Sequence, residues 1–156
     1  MGFMDKLKSM KNAITGGGAK VHLDVVNPTK NAPFTVKVQA TIGDADVKID
    51  KVYVNVEGVE TIEMEVPVVE KDAKPDAPAK SERKSAEAKT YQKEIVLAGP
   101  QTLKAKQQYA WEGTVQLPET ALATYKGVNA KHEWRLMAAL STFGNDPDSG
   151  WISIAI

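Results

Sequence analysis

The chain contains no cysteine. That removes disulfides, thiol catalysis and thiolate metal sites at once, and it suits a reducing compartment. It also lacks a charge surplus, with 20 basic and 20 acidic side chains and a net charge of zero. Such a balance creates no long-range field to draw in DNA or RNA, so nucleic acid is not expected as a partner. No apolar run approaches the ~20 residues that a membrane-spanning helix needs. Lys6, Lys8 and Lys11 interrupt what would be the apolar centre of a signal peptide,. Met1-Gly2 is followed by Lys6 where a myristoylation motif carries Ser or Thr,. These absences make a soluble, cytoplasmic protein the expectation. What remains is a chain of 156 residues, 42% hydrophobic and 26% charged, enough for one folded domain with a real core,.

One segment reads as a helix. Phe3, Met4, Leu7, Met10 and Ile14 recur at helical spacing, with Asp5, Lys6, Lys8, Lys11 and Asn12 mainly on the other side,. Gly16-Gly17-Gly18 ends it, so residues 1–18 read as an amphipathic helix with a glycine hinge,.

From Ala19 to residue 156 the period becomes two, the signature of strands. Val21, Leu23 and Val25 alternate with polar residues until Asn27-Pro28. Phe34, Val36, Val38, Ala40 and Ile42 share one face of the next strand. Then Val47 and Ile49 share one parity, and Val52, Val54 and Val56 the opposite one. A strand cannot change its buried face without an irregularity, which predicts a bulge or sharp bend at Asp50-Lys51. Gly58 marks a turn or second irregularity. Ile62, Met64, Val66 and Val68 are expected to point inward from a further strand, with Pro67 at a sheet edge,.

Residues 70–90 differ in kind. They are rich in Ala, Lys, Glu, Ser and Pro and almost free of large apolar side chains, which predicts a mobile polar loop, with residues 79–89 able to form a short exposed helix,. Strand signals resume at Tyr91, Ile95 and Leu97, continue through Tyr109, Trp111, Val115 and Leu117, and then through His132, Trp134, Leu136, Ala138 and Leu140. Trp151 to Ile156 reads as a last short strand. Roughly seven or eight strands with Gly/Pro punctuation predict an all-β, immunoglobulin-like two-sheet sandwich.

Three stretches carry a resemblance. They are Phe3-Met4-Asp5-Lys6-Leu7 with its glycine hinge into Ala19-Lys20-Val21, the strand Ile49-Asp50-Lys51-Val52-Tyr53-Val54, and Tyr109-Ala110-Trp111-Glu112-Gly113-Thr114-Val115-Gln116-Leu117-Pro118 followed by His132-Glu133-Trp134-Arg135-Leu136. Together they resemble the arrestin fold, in particular the bacterial sporulation-control (SpoOM) family. Arrestin-type proteins usually carry two sandwich domains in tandem, and this chain has room for one. The resemblance implies a single-domain, arrestin-type member with a non-catalytic regulatory or scaffolding role. It names no partner.

Chemistry-bearing residues are sparse. A serine nucleophile needs a neighbouring base, and the only histidines, His22 and His132, sit in no recognisable motif,. His132 is expected to be partly buried near a sheet end with one hydrogen-bond partner. His22 and Asp24 could place two metal ligands side by side, but no third can be named,. Residues 145–150 read as a turn rather than a calcium loop. Glu63 and Glu65 alternate along a wet strand face, with no groove to make them a catalytic pair,. No cofactor, metal site or catalytic residue is therefore expected.

Phe3, Met4, Leu7, Met10 and Ile14 are the candidate interaction residues. Each stabilises by ~1.5–3 kcal/mol if fully buried, so docking on the chain's own sandwich or on a second copy is the leading expectation. Contact with a membrane surface ranks below it. An open strand edge makes a homodimer a further expectation. The sequence thus points to a protein-interaction or scaffolding module, with a peripheral membrane adaptor as the alternative and a metal-dependent enzyme last.

Overall fold

The computed structural model describes residues 18–68, 75 and 80–156. The expected helix, with Phe3, Met4, Leu7, Met10 and Ile14, lies outside the described residues. The rest is all-β.

The first sheet is built from the cleanest alternation in the sequence. Strand β1 (Ala19–Val26) pairs antiparallel with β2 (Phe34–Ile42), and β2 pairs with β7 (Gln108–Val115). Val21 faces Ala40 across the ladder and Leu23 faces Val38, so the odd positions of β1 and the even positions of β2 line one apolar face. On the far side of β2, Val38 is opposite Trp111 and Val36 opposite Gly113. Asn27 closes β1 in the left-handed region, with φ 48° ahead of Pro28, where asparagine is tolerated better than most residues,.

The second sheet runs in the order β10 (Ile152–Ile154), β9 (Ala130–Ser141), β4 (Lys51–Pro67), β5 (Ser81–Ala98), with β8 (Tyr125–Lys126) beside β9. A small third sheet joins β3 (Val47–Ile49) to β6 (Gln101–Leu103). The parity change at Asp50 is therefore more than a kink. The chain leaves the β3–β6 sheet, bends at Asp50, and enters the large sheet as β4. Asp50 N–H donates to the Ser141 carbonyl at 2.9 Å to secure the crossing. Gly58 is also an irregularity, since the β4–β5 register shifts between Gly58 and Val59.

Between the two main sheets lies one core. Val36, Val38, Val52, Val54, Trp134, Leu136 and Leu140 are wholly buried in it. At roughly 25 cal/mol per Å² of apolar surface removed from water, this core is the main stabilising term.

Two expectations need correction. Ile62, Met64 and Val68 do not point into the core; they are 40%, 45% and 40% exposed, with Val66 half-buried. The cause is strand length. The β9 ladder ends with Ala130 opposite Ile62, and after the one further bond from Glu63 N–H to the Asn129 carbonyl, β5 is the strand that pairs with β4. Pro67 sits at the end of this two-stranded ribbon, as a residue without an N–H should,. The second correction concerns the last part of the mobile loop expected at 70–90 and the short helix expected at 79–89; residues 70–74 and 76–79 lie outside the described residues. Residues 81–90 are strand, in register with β4 from Pro67↔Ser81 to Val59↔Lys89. Their side chains are exposed, as their composition requires, but the backbone pairs with a strand that is already ordered.

Candidate functional site

The unusual chemistry of the molecule collects where the long β4–β5 ribbon leaves the sandwich. On the core-facing side, His132 and Trp134 are wholly buried on β9. The Trp134 ring meets His132 edge-on, with centroids 5.5 Å apart, and tilts against Tyr91 at 5.6 Å. Trp134 Nε1 donates to the Leu122 carbonyl at 2.7 Å. His132 Nε2 bonds the Thr90 hydroxyl at 2.7 Å, while its Nδ1 has no partner. The one hydrogen-bond partner expected for His132 is there, and its burial is complete rather than partial. Tyr125, across the ladder from His132, stacks on it at 6.2 Å and donates to Glu60 at 3.3 Å.

On the outer face of the same sheet lies a buried acid. Glu57 is 3% exposed. Lys89 Nζ reaches its Oε1 at 2.7 Å, and Arg135 bonds its Oε2 through Nε at 2.9 Å and a terminal nitrogen at 2.8 Å. Arg135 in turn lies over the Trp151 ring at 4.6 Å, a cation–π contact that fixes the guanidinium,. Burial alone would push the Glu57 carboxyl up, but the bonds and charges of Lys89 and Arg135 outweigh it and hold the pKa below the usual carboxylate range,.

A pH dependence follows from that shift. A carboxylate with a lowered folded-state pKa adds stability that is complete above its unfolded value of about 4.3 and is lost as pH falls through the folded value. Glu57→Gln should cost about 1–2 kcal/mol near neutral pH, since both cations keep some access to water. Thermal melts of the two proteins should then converge as pH falls below about 4. A gap that stays constant down to acid pH would rule out the ion pairs as its source.

The other sequence candidates scatter. His22 is half-buried on β1 and Asp24 exposed, opposite Gln39 and Lys37 respectively. Among the described residues no three His, Cys, Asp or Glu side chains stand close enough to share a metal ion. Glu63 pairs with Arg83 across the ribbon. Residues 145–150 form the expected turn, in which Asp146 accepts bonds from the Tyr53 hydroxyl at 2.7 Å and from Thr142 N–H at 3.0 Å. Burial and that bond to Asp146 push the Tyr53 hydroxyl above its ordinary range. Sequence reasoning missed Glu57, Lys89 and Arg135 altogether. The one local signal was an acid set between Val56 and Gly58 in an otherwise apolar run.

Beyond Glu60 the core-facing side of β4 and β5 continues into solvent. Ile62 lies opposite Ala86 and Met64 opposite Lys84, while Tyr125 and Leu122 are 42% and 44% exposed nearby in the sequence-adjacent segment leading into β8. The chain thus presents an open apolar face on one side of the ribbon and a polar face on the other. No helix among the described residues is long and apolar enough to cross a membrane.

This architecture belongs to the class of two-layer β-sandwiches with an overhanging hairpin. No family model and no curated protein matches the chain. Among solved structures it is similar to Spo0M, a sporulation control protein from Bacillus subtilis, with a TM-score of 0.58 and 17% identity. The likeness covers 90% of this chain and 49% of the other, so the chain spans about half the length of the Spo0M chain it matches. At that identity the comparison shows a Spo0M-like fold.

Proposed function

We infer that the chain is a non-catalytic protein-interaction module of the arrestin type, regulatory in role, which docks a partner on the overhanging β4–β5 ribbon. One observation carries this reading: the core-facing side of β4 continues past the sandwich and leaves Ile62 and Met64 40% and 45% exposed, with Val68 just beyond the strand 40% exposed. Apolar side chains grouped on an uncovered sheet face mark interaction surfaces more often than catalytic ones. The likeness to a sporulation control protein supports a regulatory role, here as a matter of fold,.

The test is a double variant, Ile62→Glu with Met64→Glu. Both side chains are solvated, so unfolding stability should change by no more than about 0.5 kcal/mol. Cross-linking in the native cells should then lose the principal protein captured by the wild type. Equal recovery with both proteins would sink the ribbon as the docking site.

A further inference from the structure

The outer face of the ribbon carries a second feature, independent of the apolar stripe. Strands β8 and β9 are joined by a hairpin whose register places Lys126 directly opposite Lys131 on the same face. Like charges in that position destabilise a ladder. Lys131 has a distant counter-ion, Glu133 at 3.6 Å, and Lys126 makes no ion pair among the described residues. The like-charge pairing is thus relieved on the Lys131 side alone.

These two lysines border a groove of about 340 Å³ between the hairpin and the ribbon. The groove is closed on the β4 side by Thr61 and Glu63 and on the β5 side by Arg83. Glu63 is the one acidic side chain in its lining, and Arg83 already holds it. With Arg83 spent on Glu63, the lining keeps the two lysines as its charge, and Lys131 shares its own with Glu133, so the groove is basic chiefly through Lys126. The hairpin is anchored, because Glu63 N–H donates to the Asn129 carbonyl at 2.7 Å and Gly127 N–H to the Ala130 carbonyl at 2.7 Å. At its rim Val128 is 99% exposed.

We propose that this groove binds an acidic peptide segment of the partner, with carboxylates seated between Lys126 and Lys131 and an apolar neighbour resting on Val128. The inference rests on the reading of the chain as an interaction module and names the chemistry of what it engages. Lysine ammonium groups are separate point charges, and two of them on one face can each take a carboxylate of an extended segment,. Val128 offers contact that a peptide side chain can use and inorganic phosphate cannot.

The experiment titrates the full chain with a short fluorescent Glu-Leu-Glu peptide at low salt and follows anisotropy. Lys126→Gln and Lys131→Gln should each weaken binding about two- to fivefold, the range for one exposed ion pair. Lys126→Glu should abolish binding while raising the melting temperature by about 1–4 °C, because it converts the repulsive pair into an attractive one. Loss of binding with that rise supports the site. Wild-type affinity in Lys126→Glu overturns it, and so does a lowered melting temperature. Displacement by inorganic phosphate at matched ionic strength would overturn the peptide assignment. Cross-linking tests the ribbon separately: no peptide binding by the wild type, together with loss of the captured partner in Ile62→Glu with Met64→Glu, overturns the groove alone.

Discussion

Trp134→Ala should destabilise the protein by about 3–5 kcal/mol, a large part of the stability of a domain of this size. The side chain is wholly buried and fills the space between Tyr91 and His132 at the end of the core. Truncation leaves a cavity that the surrounding strands cannot close, since Gly58 beneath the ring has no side chain to move into it. The Leu122 carbonyl also loses the indole donor 2.7 Å away, which would free the stretch leading into β8. Trp134→Phe keeps most of the ring and should cost less, about 1–2 kcal/mol, dominated by the lost hydrogen bond and the smaller fill. Urea unfolding measures both. A loss below about 1 kcal/mol for the alanine variant would mean that the ribbon end collapses freely and is not a rigid part of the core.

This ribbon end also marks the limit of what the sequence shows. Where a strand lies under the opposite sheet, its alternation told which residues are inside. Val21 and Leu23, the even positions from Phe34 to Ile42, and the even positions from Trp134 to Leu140 are buried as read. The parity change at Asp50 gave a bend in the right place, though not its meaning as a passage between sheets. Past Ile62 the same rule failed, because alternation says which side chains share a face and not whether anything covers it. That depends on β9 ending at Ala130, 68 residues further along the chain. Residues 81–90 failed for a related reason. Their composition has little strand preference, and pairing with β4 overrides it,. Glu57 was hidden because its partners, Lys89 and Arg135, lie 32 and 78 residues away in sequence. The candidate interaction residues Phe3, Met4, Leu7, Met10 and Ile14 lie outside the described residues, so the site at the ribbon is one that the sequence did not indicate.

Gly58 is where the local and the distant constraints meet, and Gly58→Val should be the second large loss, about 2–5 kcal/mol from overpacking together with an orphaned polar group. A Cβ at this position would lie 2.7 Å from Thr90 Oγ1, 3.2 Å from the Trp134 ring and 3.3 Å from His132 Nε2. Thr90 is the closest of these, and it is the residue that the register shift after Gly58 leaves without a ladder partner. Its short side chain cannot swing away without giving up the bond to His132. His132 would then be wholly buried with neither ring nitrogen satisfied, since Nδ1 has no partner to begin with. The two costs are therefore coupled, and a double-mutant cycle separates them. Thr90→Ala removes both the closest clashing atom and the His132 partner. Gly58→Ala should accordingly cost less in a Thr90→Ala background than alone, by about 0.5–2 kcal/mol, the range for residues in direct contact. Strict additivity of the two substitutions would show that the threonine hydroxyl is not what holds glycine at this position.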